Sequence, residues 1–275
     1  FPQIASRTQA RKLAKKGSFR VNQSPAMASD WLSPGDIVRF EPPVVVVHPT
    51  YALDLDVLVE DAHWAIVLKP AGLPVSGNRH RTLVHALPHN LSRSTEEDAL
   101  AAPHTVHRLD IRVGGLMVVA KTSRAQVELG RAFQERRVEK CYRALLVGRL
   151  EGAGIIDTPI EGRDARTRYR AVQHTPSYAT GWWTTVDLWP ETGRTHQLRR
   201  HVAHMGLPIV GDDLYTGSVP NIRKKGLYLF SRSLLISHPI SGEPVHVELP
   251  EPTRFETRRR SERRRFVRGA LEVGS

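Results

Sequence analysis

The spacing of apolar runs constrains this chain more than any other feature. Short β-like runs fall at 44–47, 57–59, 64–68, 116–120, 142–147, 182–188, 227–230 and 245–249. Each suits a strand and is too short for a free-standing helix. Helical periodicity in this region is clear in only two places. Ser123 and Gln126 stand at capping spacing before a helix that should reach about 136 and bury Val127, Leu129 or Gly130, and Phe133. A second helix is expected over 195–205, stopped by Gly206 and Pro208. Strands thus outnumber helices and do not alternate with them. That argues against a doubly wound parallel fold and predicts the α+β class with a mostly antiparallel mixed sheet.

The 275 residues are 40% apolar, enough to bury a core, and no run approaches the length of a membrane span. Net charge is +12, unevenly placed: residues 1–45 carry +4, residues 254–275 carry +5, and the 208 residues between them only +3. A near-neutral body with basic ends suits a polyanion, because cation clusters on a phosphate backbone gain from counterion release. Solubility alone is the competing explanation. The single cysteine, Cys141, excludes a disulfide framework within the chain and any cysteine-rich zinc site, and its strand-like setting suits a packed residue. No signal peptide is visible, so the cytoplasm is the expected compartment. The chain opens on Phe1 rather than Met, which leaves room for an upstream segment.

Residues 1–45 look like a separate module. Ser6 and Gln9 form a capping-box pattern, a basic helix over 7–16 ends at Gly17, a strand at 19–21 leads into a turn, and Pro34-Gly35-Asp36 precedes a last strand at 37–40. Arg7, Arg11, Lys12, Lys15 and Lys16 crowd the helix, and Arg20 follows. So short a helix gains nothing from that much like charge, and the crowding points to an anionic partner. This segment resembles the S-four-type RNA-binding domain, named for a small-subunit ribosomal protein, and the resemblance implies that those six cations contact RNA. Glu41-Pro42-Pro43 reads as a linker, 46–255 as the main domain, and the arginine-rich stretch 256–275 as a flexible tail.

Two stretches could carry chemistry. His107-Arg108-Leu109-Asp110 precedes Val113-Gly114-Gly115 and an apolar strand, which places a carboxylate on a loop at a strand end, where site residues tend to sit. Gly193-Arg194-Thr195-His196-Gln197-Leu198-Arg199 is a turn entering a helix that could present Arg194 and Leu198 on one face. A guanidinium beside Asp110 would orient it and favour its charged form. From the residues alone, Asp110 serves equally well as a turn carboxylate paired with Arg108 or Arg112, and Arg194 as a surface group.

Residues 64–250 resemble the large-subunit ribosomal pseudouridine synthase family typified by RluA. The resemblance runs in family order through Val67-Leu68-Lys69-Pro70-Ala71-Gly72, His107-Arg108-Leu109-Asp110, Lys140-Cys141-Tyr142-Arg143-Ala144, Gly193 to Arg199, Gly206 to Asp212, and His238-Pro239-Ile240-Ser241-Gly242-Glu243. It implies an RNA uridine isomerase with Asp110 as the catalytic aspartate, Tyr142 as the aromatic platform for the base, and Arg194 as the cation paired with Asp110. Arg108 would fill the gap left by the extruded nucleotide, with His107, Leu198 and Lys69 contributing to the substrate site. Flipping is required because the anomeric carbon of a stacked nucleotide is inaccessible. No cofactor is implied.

One departure stands out. The family carries Thr-Ser-Gly where this chain has Val113-Gly114-Gly115, so two hydroxyls that could order the loop are missing and a looser Asp110 is expected. That departure motivates an alternative, an RNA-binding or ribosome-assembly factor that keeps the fold without activity. His196, His201 and His204 lack metal-site spacing, and no metal is expected. The expected partner is RNA, ribosomal first and transfer RNA second. The expected state is a monomer with no membrane attachment.

Overall fold

In the computed structural model the described residues are 4, 6–41, 50–216, 219 and 226–273; the run expected at 44–47 and part of the linker lie outside them. The chain forms two compact units, Phe1–His48 and Pro49–Ser275.

The first unit is built on helix α1 (Arg7–Lys15) and three short strands, β1 (Phe19–Val21), β2 (Ser24–Pro25) and β3 (Val38–Phe40), in the order β2-β1-β3. Gly17 ends the helix at φ +73°, a conformation that suits a residue without Cβ. Asn22 and Gln23 both take positive φ, as a two-residue hairpin turn requires. The Asn22 amide then donates to Asp36 at 2.6 Å while its carbonyl accepts from the Ile37 N–H at 3.0 Å, locking the turn to the last strand. Arg7, Arg11, Lys12, Lys15 and Lys16 are all exposed, whereas Arg20 is engaged with Glu41 at 2.8 Å. The side chain of Gln9 lies outside the described residues.

The second unit opens with β4 (Val57–Glu60) and β5 (Trp64–Lys69), then α2 (Leu83–Asn90), β6 (Ala99–Thr105), β7 (Gly114–Thr122) and α3 (Ser123–Gln134). It continues through β8 (Glu139–Val147), β9 (Ala153–Ile156), β10 (Thr167–Ser177), β11 (Gly181–Pro190) and α4 (Gln197–His204) to β12 (Leu229–Ser237), β13 (Pro244–Glu248) and α5 (Thr253–Val273). The ten strands form one sheet, ordered β4-β5-β7-β12-β8-β11-β10-β9, with β6 beside β7 and β13 beside β12. Among the described residues every pairing is antiparallel except β7 with β12, so the α+β mixed-sheet expectation holds.

That parallel seam positions the site. Ser231 of β12 stands opposite Gly115 of β7 on one side and Tyr142 of β8 on the other. The loop that precedes β7 is thereby delivered to within one strand of Tyr142. Central strands are buried on both faces, as in β7, where all nine residues are buried.

Several local expectations need correction. Thr122, not Ser123, caps α3, its hydroxyl accepting from the Ala125 N–H at 3.3 Å. Val127 is exposed, and the buried face of that helix is Ala125, Leu129 and Ala132. The C-terminal stretch read as a flexible tail is the 21-residue helix α5, anchored by Phe255 with no exposure at all. Its inward charges are paired: Arg259 is bound by Glu251 and Glu256, and the Ser177 hydroxyl donates to Glu262 at 2.9 Å. Arginines that are hydrogen-bonded inward can dock a helix whose composition alone reads as disordered.

Candidate active site

Asp110 lies in the loop between β6 and β7, held by neighbours that leave the carboxylate little freedom. Leu109 before it is buried, and the Val113 N–H donates to the Asp110 carbonyl at 3.0 Å, closing a tight turn. The glycines that follow are closely packed, a constraint that the reading of the missing hydroxyls did not foresee. Gly115 sits at φ +129° with the Ser231 backbone packed where a Cβ would go, and Gly114 is closely flanked by the Lys69 carbonyl and the Ala71 amide. Gly-Gly here permits close strand approach, and sheet pairing orders the segment in place of hydroxyl bonds.

The cation facing Asp110 is Arg199, not Arg194. Arg199 Nη1 lies 3.3 Å from Asp110 Oδ2, while its Nε and Nη2 each bind Asp212 at 2.7 Å in a two-pronged pair. Burial alone would raise the Asp212 carboxyl, but Arg199 and the Leu214 and Tyr215 amides outweigh that and hold it below the usual range. Arg194 instead donates from Nε to the Asp164 carbonyl at 2.9 Å and lies along the cleft wall. The physical reason is the helix start. His196 takes a left-handed conformation, φ +55°, so α4 begins at Gln197 and the turn carrying Arg194 lies outside it. Gln197 fixes that turn by accepting from the Arg194 N–H at 3.0 Å and donating to the Arg166 carbonyl at 2.9 Å.

Opposite the carboxylate, Tyr142 presents an almost wholly buried ring from β8. Burial, opposed by a hydrogen bond with Ser231 and reinforced by the Asp110 charge, pushes its phenol up to about 12, so the hydroxyl is neutral near pH 7. Leu198 closes the apolar wall, and Arg108 is exposed at the mouth. His107 packs its ring on Phe133 at 4.4 Å, and its Nε2 accepts from the Val118 N–H at 2.9 Å. It supports the Asp110 loop and also borders the cleft.

Lys69 is not on the cleft surface, which corrects its assignment to the substrate site. It is fully buried, and its ammonium donates to the carbonyls of Pro70 (3.0 Å), Leu73 (2.8 Å) and Ile111 (3.3 Å). Burial, partly offset by Asp110, brings its pKa down to about 8. Lys69 thus ties the turn after β5 to the residue following the aspartate.

Asp110, Tyr142, Leu198 and Arg199 border a cleft of about 920 Å³ that is also lined by Arg108, Arg136, Arg137, Lys140, Arg168 and Arg194, with Glu139 and Glu191 among these cations. A flipped nucleotide fits a cavity of this size, and a lining with more cations than acids suits phosphates. Sequence reasoning missed Arg199 as the partner of Asp110, although the residue ends the very motif that was singled out. It also missed Asp212, and Tyr215, whose hydroxyl lies 2.9 Å from His196 Nδ1. His196 Nε2 is itself 3.7 Å from Asp110. The three histidines occupy separate settings: His201 is bound to Thr167 and Thr158, and His204 is exposed.

Comparison with known proteins bears on this geometry. The RNA pseudouridylate synthase family matches residues 63–204. The chain is 36% identical over 285 residues to "Ribosomal large subunit pseudouridine synthase D" of Xanthomonas campestris, covering 92% of this chain and 83% of that protein. It is 34% identical over 281 residues to an uncharacterized RNA pseudouridine synthase of Aquifex aeolicus, covering 92% and 88%. Among solved structures, human RNA pseudouridylate synthase domain containing 1 superposes with a TM-score of 0.60 at 28% identity, over 74% of this chain and 86% of that one.

Proposed function

The chain belongs to the RNA pseudouridylate synthase family, and on that premise we propose that it isomerises uridine in ribosomal RNA, with Asp110 acting at the ribose. Relatives bearing the name "Ribosomal large subunit pseudouridine synthase D" support ribosomal RNA over transfer RNA. We further propose that residues 1–45 act as an S-four-type RNA-binding domain through the exposed cations of α1, and that the protein works as a cytoplasmic monomer. Among the described residues no helix is long and apolar enough to cross a membrane.

The observation that carries the reading is the position of the Asp110 carboxylate, in one cleft with Tyr142 and 3.3 Å from Arg199. Forming pseudouridine breaks the bond from N1 of uracil to the anomeric carbon and turns the retained base. A bond from C5 to the same carbon then forms, the C5 proton is lost, and the released N1 takes up a proton, so that the product is an isomer of the substrate. Atoms balance without any redox partner. Asp110 supplies the carboxylate at the sugar, and Arg199 fixes its orientation. Tyr142 and Leu198 hold the detached uracil between an aromatic face and an apolar wall. Tyr142, neutral at physiological pH, serves first as the platform. Arg108 stands at the mouth, where a guanidinium can stack in the vacated helix position and offset part of the few kcal/mol that flipping costs, about the usual scale for unstacking.

Mapping pseudouridines in ribosomal RNA from cells with and without this gene tests the assignment. The reading requires at least one ribosomal position to be lost without the gene and restored by the wild-type chain. An unchanged ribosomal map, with a position lost in transfer RNA, would reassign the substrate.

A further inference from the structure

Helix α5 carries eight arginines, six of which divide by face; of the other two, Arg265 reaches Glu262 at 3.7 Å and Arg263 is half-buried. Those turned inward are engaged. Arg254 donates to the Leu227 carbonyl at 2.8 Å, Arg258 stacks on Trp183 at 5.1 Å, and Arg259 binds Glu251 and Glu256. The outward face is different. Arg260, Arg264 and Arg268 recur every four residues and are all exposed, with Thr257 and Ser261 beside them. Arg260 has one contact with Glu256 at 4.0 Å, and neither Arg264 nor Arg268 forms an ion pair among the described residues. Like charges four apart on a helix repel, so the row disfavours the isolated helix unless an anion lies along it. Successive guanidinium positions are about 6 Å apart along the axis.

A chain of charged contacts runs from the cleft to the inner base of α5. Arg168, in the cleft lining, and Arg170, next on the same face of β10, both lie over the Trp189 ring, at 5.7 and 5.6 Å. Arg170 is 3.5 Å from Asp187, which Arg143 binds at 2.7 Å; Arg143 is in turn 3.6 Å from Glu251, the partner of Arg259 at the base of α5.

We propose that the outer face of α5, centred on Arg260, Arg264 and Arg268, is a second RNA-contact surface that holds the phosphate backbone of substrate RNA outside the cleft. This deepens the synthase reading and rests on it. The contact is electrostatic and independent of sequence, because guanidinium and hydroxyl groups on an open helix face meet phosphates rather than base edges.

The test replaces the three residues together, Arg260→Gln, Arg264→Gln and Arg268→Gln, and measures binding across a salt titration. Two RNAs are used: a long structured ribosomal fragment and a short stem-loop that fills only the cleft. Glutamine matches arginine in helix propensity, so α5 is retained, and a second variant with lysine at all three sites keeps the charge. The expected result is at least a tenfold loss of affinity for the long fragment. The logarithmic salt slope should become shallower by about two to three, the value for three lost phosphate contacts. Stem-loop binding and saturated turnover should stay within twofold of wild type, and the lysine variant should bind as wild type does. Unchanged affinity and slope on the long fragment, or an equal loss on the stem-loop, would overturn the proposal. So would arginine-dependent binding to phosphatidylglycerol vesicles with RNA affinity indifferent to the three residues. A wild-type protein that binds RNA through this face yet forms no pseudouridine would instead sink the synthase reading and leave the surface standing.

Discussion

Arg199 meets Asp110 across 89 positions of sequence, at 3.3 Å, while holding Asp212 with its other two nitrogens. One guanidinium therefore couples the carboxylate of the cleft to a wholly buried acid behind it. Replacing Arg199 by Gln strands Asp212 without its counter-charge, and breaking a buried pair from one side costs about 3–5 kcal/mol. Denaturant unfolding should show that loss together with a fall in turnover of at least about a hundredfold, the scale of a misplaced reacting group. Arg194→Gln should cost under about tenfold and appear in KM, since that side chain is bound to a backbone carbonyl on the cleft wall. The reverse ranking would restore Arg194 as the partner of the aspartate.

Gly115→Ala should be far more damaging than Gly114→Ala. The first forces a Cβ into the Ser231 backbone at φ +129°, and the second asks its neighbours to yield by tenths of an ångström at ordinary φ. A loss of at least about 3 kcal/mol is expected for Gly115→Ala, in the range of overpacking combined with backbone strain. The part of the chain most displaced should be the seam joining the Asp110 loop to Tyr142. Equal melting temperatures for the two variants would mean that the seam does not depend on this close approach.

His107 supplies a pH dependence with a definite sign. Burial first, and the Lys140 charge second, push the ring from its ordinary 6.5 down to about 3. The unfolded chain thus binds this proton at higher pH than the folded one does. The contribution to stability is present above pH 6.5 and is lost as pH falls from 6.5 toward 3. His107→Gln keeps an acceptor for the Val118 N–H and cannot titrate. Its stability should therefore fall less steeply than that of wild type through this window, measured by urea unfolding at a series of pH values. Parallel curves would show that the ring is freely protonated in the folded protein.

Much of the sheet was legible because its central strands alternate or run continuously apolar, the two patterns that burial on one or both faces imposes. β10 escaped because Arg168, Arg170 and His174 interrupt its apolar positions on an exposed side, and α2 because it carries Pro88 inside it. α5 was misjudged for a related reason. Its docking uses Phe255 together with inward arginine and glutamate pairs, and no count of apolar residues registers a salt-bridged face. In the site, Asp110 and Tyr142 were readable from their motifs. The identity of the partner cation was not, because it depends on where α4 begins, and the left-handed His196 that sets this start leaves no mark in propensity.

Phe255→Ala probes the corrected C-terminus. The ring is fully buried, 5.3 Å from Tyr228, so its removal should cost about 3–5 kcal/mol, as large aromatic-to-alanine changes in cores do. A loss below about 0.5 kcal/mol, the scale of a surface change, would return residues 256–275 to the status of a loose tail.

The most direct measurement is tritium release from ribosomal RNA labelled at C5 of uridine, comparing wild type with Asp110→Asn, a near-isosteric change that removes only the carboxylate's charge. Wild type should release tritium, and the variant should be slower by at least about a thousandfold while binding the same RNA with unchanged affinity. Release by the variant within tenfold of wild type would show that the chemistry does not run through Asp110.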